Sequence, residues 1–483
     1  MTTRASNVKR RLTRAFREFR RWLALSFALA GLAAAVPSCD SSPPPSNAVR
    51  HPVLLVGLDG LEWNVVLPLL EAGRMPALAG LMGRGTFGTL EATKPTLSPI
   101  IWTSIATGVE SRRHGILGFV HGEQKSRDER GNAARLYTSN DRRVKAFWNI
   151  ATDAGRRVHT IGWWMTYPAE PIHGVMVAQV NTITPAIRQA GRGIWKGKLV
   201  AGLAHQVHPP EREAPLLELV PRVEADLSAL TARIFGEFPS SAAPLPAKLL
   251  EQSLWAFRAD ALYHRVALDV LANDGAFDLF AVYFGGADVV GHRFWRHAHP
   301  ELYRDPPDEE EVRMFGHVLA AYYVYLDELL GTLMAAAPKD TNVIVVSDHG
   351  MSPIRRALRF TTPALSGGHL SAPPAFLVAA GPDLRRDDAA IDALTRRDLP
   401  SLGSVLDVTP TVLAILGIPV ARDMDGEAMT EWLAPELLER SPVRTVATHT
   451  APDWFATRAK PALDSEGSGE RLEQLGALGY LDE

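Results

Sequence analysis

Asp288 and His292 stand four residues apart in "FGGADVVGHRFW" (284–295), directly after an apolar run and bracketed by glycines. Four residues is about one helical turn, so a carboxylate and an imidazole at this spacing can face the same point. Such a pair can bind a metal, pair with itself, or sit in water. As an exposed ion pair it would contribute only about 0.3–0.5 kcal/mol, a weak reason to choose these residues. Comparable residues close other apolar runs or Gly-rich turns: Asp59 in "LLVGLDG", Asp348 and His349 in "VVSDHGM", and His369 in "SGGHLS". A lone Asp-His neighbour pair is more often a hydrogen-bonded turn than a metal site. Together the six should converge on one sheet edge. Three Asp and three His suit two divalent ions with three ligands each, leaving open positions for a substrate.

The elements that must carry these residues alternate strand and helix. "HPVLLVGLDG" reads as a buried parallel strand ending at a functional edge; "FDLFAVYFGG" and "NVIVVSDHG" repeat the pattern, and "PAFLVAAGP" is another short strand. "RVHTIGWW" is one more, following a helix in "VKAFWNIATDAG". Helices are expected over about 61–71 and 76–84, and over 99–108, where Pro opens and Gly closes the pattern. Another runs over about 307–337 from the acids of "PDEEE", and "VTPTVLAILG" is a further Pro-opened helix. This alternation argues for an α/β fold: a doubly wound, mostly parallel central sheet flanked by helices and active at its carboxyl edge. The segment 183–262 breaks the rhythm and reads as an inserted, mainly helical cap.

With 483 residues, 46% of them hydrophobic, the chain can bury a large core. A formal net charge of −3 leaves no footprint for a nucleic-acid polymer. The charge is uneven, however. Eight basic residues and one acid precede Trp22, and the uncharged "WLALSFALAGLAAAV" follows. Fifteen residues are short for a membrane span and suit the apolar region of an export signal. The run ends in "VPSC", and Cys39 is the only cysteine, so no internal disulfide is possible. The arrangement resembles a bacterial lipoprotein signal, departing from it at Pro37; the resemblance implies lipidation of Cys39 and attachment on the periplasmic or outer side of a membrane. "SSPPPSN" reads as a short extended tether.

From residue 52 to about 430 the sequence resembles the alkaline phosphatase superfamily, specifically its type I phosphodiesterase/nucleotide pyrophosphatase branch. The resemblance rests on "LLVGLDG", "TLSPIIWTSIATG", "HGILGF", "ADVVGHRFW", "VVSDHGM", "GGH" and "DVTPTVLAILGIPVARDMDG", in the family's order. It implies a catalytic domain in 52–182 and 263–440, preceded by a signal (1–39) and a tether (40–51). The cap at 183–262 interrupts it and an extension (441–483) follows. It implies one metal site from Asp288, His292 and His369, and another from Asp59, Asp348 and His349. The ions would be zinc, with manganese as the alternative. The nucleophile position falls at Ser98, with Thr96 as its rival. Ser98 immediately precedes the expected helix, whose dipole favours an alkoxide there. Its bland role would be that of an N-cap.

The implied activity is that of an exported, metal-dependent phosphoester hydrolase acting on a small substrate through a phospho-serine. Alternatives are a phosphotransferase passing the group to an envelope alcohol, and a surface lipoprotein that binds metal without turnover. Phe119 occupies the position where some relatives carry a phosphate-holding Asn, and no Arg closely follows Ser98. The second departure counts against a monoesterase with a bidentate Arg clamp. Trp163, Trp164 and Tyr167 in "IGWWMTYP" are candidates for stacking on a base or sugar, or for core packing. His297 and His299 are expected to be solvated loop residues.

Overall fold

Val53–Leu58 (β1) is apolar along its whole length and buried on both faces, which only a central parallel strand allows. Each such Leu or Val side chain contributes about 1.5–3 kcal/mol of burial. The computed structural model describes residues 50–119, 121, 137–179, 197–199, 201, 203–236, 244–354, 365–390, 394 and 398–461. The signal, Cys39 and nearly all of the tether lie outside these residues, as does the chain beyond 461.

The strands that bear on the site begin with β2 (Thr86–Glu91), β3 (Val158–Ile161), β4 (Met176–Val177), β5 (Val207–His208), β6 (Leu279–Phe284) and β7 (Asn342–Val346). They continue with β8 (Ser352–Pro353), β9 (Gly367–Gly368), β10 (Ala375–Ala380) and β11 (Ser401–Ser404). Nine form one sheet in the order β11-β2-β10-β7-β1-β6-β3-β4-β5, while β8 and β9 pair apart. The sheet is doubly wound and mostly parallel, as the alternation implies. Its antiparallel contacts are those of β10 with β7 and β2, and of β4 with β5.

Register fixes the functional edge. Gly57 of β1 lies opposite both Tyr283 of β6 and Val346 of β7, so the three central strands end level. Asp59, the loop to Asp288, and Asp348 therefore leave the sheet side by side. β10 runs the other way, so it begins at this same edge and the residues just before it, His369 among them, return there.

The helices that matter here are α1 (Trp63–Glu71), α2 (Pro76–Met82), α3 (Ser98–Thr107), α4 (Val220–Phe235), α5 (Pro244–Asn273), α6 (Gly286–Ala298) and α7 (Val318–Ala336). The helix expected over 307–337 is broken into Glu309–Phe315 and α7. The segment 183–262 supplies β5, α4 and most of α5. Helix α5 runs on to Asn273 and packs on β6, β3, α6 and α7. Phe235, Phe257, Phe294 and Tyr322 join these helices, with ring centroids 4.7–5.4 Å apart.

Gly60 ties β1 to α6. Its φ of +67° is left-handed, and a Cβ there would lie 3.0 Å from the Asp288 Cα. A left-handed non-glycine residue costs about 1–2 kcal/mol. Gly60→Ala is expected to lower stability by at least that amount, read as a reduced urea midpoint; an unchanged midpoint would contradict this account of the turn.

Candidate active site

Asp59 follows β1, Asp348 and His349 follow β7, and His369 precedes β10 by a short turn. Asp288 sits in the first turn of α6 with His292 one turn on. All six residues are at most 2% exposed. They converge. One oxygen or nitrogen each from Asp288, His292 and His369 lies within 4.8 Å of the others, and the same holds for Asp59, Asp288 and His349. Asp348 Oδ2 stands 3.2 Å from His349 Nε2. Asp288 thus belongs to both groups, whereas the sequence resemblance places it in one only.

Hydrogen bonds orient these groups. His292 Nδ1 donates to the Gly367 carbonyl (2.7 Å) and His349 Nδ1 to the Gly350 carbonyl (2.9 Å). In each neutral ring Nε2 then carries the lone pair. Those nitrogens face oxygen: His292 Nε2 lies 3.3 Å from Asp288 Oδ1, and His349 Nε2 lies 3.7 Å from Asp59 Oδ1. Asp348 Oδ1 accepts from the backbone of Gly60 and of His349. Asp59 Oδ2 accepts from Trp102 Nε1 (2.9 Å) and from the Tyr283 hydroxyl (2.5 Å). Asp59 Oδ1, Asp348 Oδ2 and His349 Nε2 are buried and meet no hydrogen-bond partner.

The electrostatics match. Burial, then the charges of Asp59 and Asp288, pushes the Asp348 carboxyl well above the ordinary carboxylate range. Burial, then His349 and His292 beside it, holds His369 well below the usual imidazole value. Buried carboxylates and lone-pair nitrogens facing one another are costly unless a cation lies between them. The donor set is mixed nitrogen and oxygen, which suits a divalent transition metal. These residues fit such a group.

Ser98 is the first residue of α3, whose N-cap is Leu97 with no side-chain bond. The Ser98 hydroxyl therefore caps nothing; it is fully buried and its Oγ has no hydrogen-bond partner. One turn on, Trp102 binds Asp59; two residues before, the Thr96 hydroxyl donates to the His369 carbonyl (2.8 Å). Residues on either side of Ser98 thus contact the buried Asp/His cluster.

Trp163 is fully buried behind Trp102, donating Nε1–H to its carbonyl, with the two rings edge to face at 5.1 Å. Trp164 packs edge to face against Phe119 (5.7 Å) and Tyr283 (6.3 Å), and the Tyr167 hydroxyl donates to Ala204. His297 is not a solvated loop residue. It lies in the last turn of α6, is 5% exposed, packs against Phe294 and Phe315, and is pushed down to about 4 by burial and by Arg296. Another buried pair, Ser104 Oγ and His114 Nε2 at 3.1 Å, has the wrong tautomer for a catalytic dyad. His114 Nδ1 accepts from the Ile116 N–H, so Nε2 bears the proton and cannot take one from serine.

Trp102 and Tyr283 escape a motif-based reading. The available signals are weak: Trp102 is four residues from Ser98, and Tyr283 is a hydroxyl inside an apolar strand.

The profile of the type I phosphodiesterase/nucleotide pyrophosphatase family matches residues 53–397. The chain belongs to this family. It is thereby placed among phosphoester hydrolases of the alkaline phosphatase superfamily, and the family is metal-dependent. No curated protein matches the sequence. Among solved structures, an inactive murine ectonucleotide pyrophosphatase/phosphodiesterase 5 in complex with AMP is 12% identical, with 80% of this chain and 100% of that one covered and a TM-score of 0.43. Its human counterpart is 13% identical over 79% and 100% of the two chains (TM-score 0.42). Phosphonoacetate hydrolase from Sinorhizobium meliloti, with phosphonoacetate bound, is 18% identical over 64% and 58% (TM-score 0.37).

Because burial and the neighbouring carboxylates raise the Asp348 carboxyl, metal binding at this cluster should be accompanied by proton release. Because that carboxyl is raised, affinity should tighten as pH climbs above the ordinary carboxylate range and level off past its folded value. Calorimetric zinc titrations of the chelated protein in buffers of different ionisation enthalpy measure this; pH-independent binding without proton release would contradict it.

Proposed function

We propose that this hydrolase is an exported phosphodiesterase that uses two divalent ions and the Ser98 hydroxyl, and that it passes through a phospho-serine intermediate. The observation that carries the reading is the Ser98 Oγ itself. It is buried with no hydrogen-bond partner, between Trp102, which binds Asp59, and the rival Thr96, whose hydroxyl is committed to the His369 carbonyl.

Asp288, His292 and His369 would hold one ion, and Asp59, Asp348 and His349 the other, with Asp288 within reach of both. When bound, the ions supply positive charge that lowers the pKa of a serine oxygen and offsets the charge of the phosphoryl and leaving oxygens. The chain supplies the rest. The N-terminal end of α3 favours negative charge on Ser98. Trp102 and Tyr283 hold Asp59 by one oxygen so that the other faces the cluster. Ser98 Oγ forms a bond to phosphorus as the ester oxygen leaves; water then takes the phosphoryl group and frees the serine.

Mixed nitrogen and oxygen donors favour zinc, with manganese second. A diester is preferred to a monoester because no Arg closely follows Ser98. Trp164, against Phe119 and Tyr283, is the best placed of the three aromatic candidates to meet a substituent of the phosphate. Export and attachment through Cys39 rest on the sequence of residues 1–39.

With bis-p-nitrophenyl phosphate, Ser98→Ala should lower kcat at least about a thousandfold, in keeping with loss of a covalent nucleophile. Thr96→Ala should retain most activity, and thorough chelation should abolish it reversibly. A Ser98→Ala enzyme as fast as wild type would remove the nucleophile assignment; turnover surviving chelation would remove the metals.

A further inference from the structure

Helix α6 carries Asp288 and His292, yet it lacks a cap of its own. Its N-cap residue is Gly285, with no side chain to satisfy the free N–H groups of the first turn. Those groups are met from outside. Asp260 of α5 accepts from the Gly285 N–H through Oδ1 (3.0 Å) and from the Gly286 N–H through Oδ2 (2.9 Å). The Tyr322 hydroxyl of α7 donates to the same Oδ2 at 2.8 Å.

Asp260 is 1% exposed, and a carboxylate buried so deeply is costly unless its oxygens are matched. Here three donors meet them, two at the positive end of a helix, although burial still pushes the carboxyl up to about 7. The approach is close enough to dictate sequence. A Cβ on Gly286 would lie 1.8 Å from the Tyr322 hydroxyl and 2.6 Å from Asp260 Oδ2. Asp288 stands two residues beyond Gly286 in the same turn.

We infer that Asp260, reaching from the inserted segment, is a positioning residue: it clamps the first turn of α6 and so sets where Asp288 presents its carboxylate to the metal. The inference rests on the metal site proposed above. Partners one shell removed from a ligand typically change metal affinity about 10- to 100-fold when lost.

A built-in control exists. Asp327 of α7 caps α2 in the same manner, accepting from the N–H groups of Ala77 (3.0 Å) and Leu78 (2.8 Å), and α2 carries no ligand. Both acids cap a helix; only one caps the helix that bears site residues.

The test titrates cobalt(II) into chelator-stripped wild type, Asp260→Asn, Asp327→Asn and Tyr322→Phe, reading affinity and the visible cobalt spectrum. Asp260→Asn is expected to weaken binding about 10- to 100-fold and to alter the spectrum. Tyr322→Phe should do so to a lesser degree, and Asp327→Asn should leave both readouts at the wild-type value. Equal affinities and spectra for Asp260→Asn and Asp327→Asn would overturn the inference. Should Asp260→Asn fail to fold, Tyr322→Phe decides, and wild-type behaviour from it would overturn the inference. A wild type that binds no cobalt would instead remove the metal site, and the positioning role with it.

Discussion

The constraint on which the rest depends is the burial of three carboxyl groups and three imidazoles in one place. In water each would be indifferent to its neighbours; packed together out of solvent they conflict. Asp348 is driven toward its protonated form and His369 toward its neutral form, both first by burial and then by like neighbours. Positive charge between the groups relieves both conflicts at once. With the carboxyl groups ionised and the imidazoles neutral, the atoms that face one another are all acceptors, so a proton or a cation is needed between them.

Much of the architecture serves to create that crowding. Level register of β6, β1 and β7 brings Asp59, Asp348 and the loop to Asp288 to one edge. The reversal of β10 returns His369 to the same edge from the opposite chain direction. Two donors on one oxygen of Asp59 and backbone carbonyls on His292 and His349 fix which atom of each side chain is presented. Helix α3 then enters across Asp59 through Trp102, with Ser98 at its start. Orientation is supplied by groups that never need to touch a substrate.

The candidate site was largely legible in the sequence, because the six groups each close an apolar run or follow glycines. The central strands were legible for the same reason: a strand buried on both faces is uniformly apolar. Direction was not. "PAFLVAAGP" reads alike as a parallel or an antiparallel strand, and only pairing with Val343–Val346 reveals which. Strands β2 and β11, at one end of the sheet and with polar and glycine-containing sequences, leave no clear pattern. His297 was misjudged because its helix continues through "RHA", and burial there comes from Phe315, 18 positions away. The sharing of Asp288 and the role of Asp260 depend on distances between elements that spacing along the chain does not encode.

Crystals of the protein grown with zinc, measured for anomalous scattering at the zinc absorption edge, test the central claim most directly. Two peaks are expected, within coordination distance of Asp59, Asp288, His292, Asp348, His349 and His369, with Ser98 Oγ directed toward one of them. Zinc bound elsewhere on the chain, with these six side chains left uncoordinated, would contradict the account.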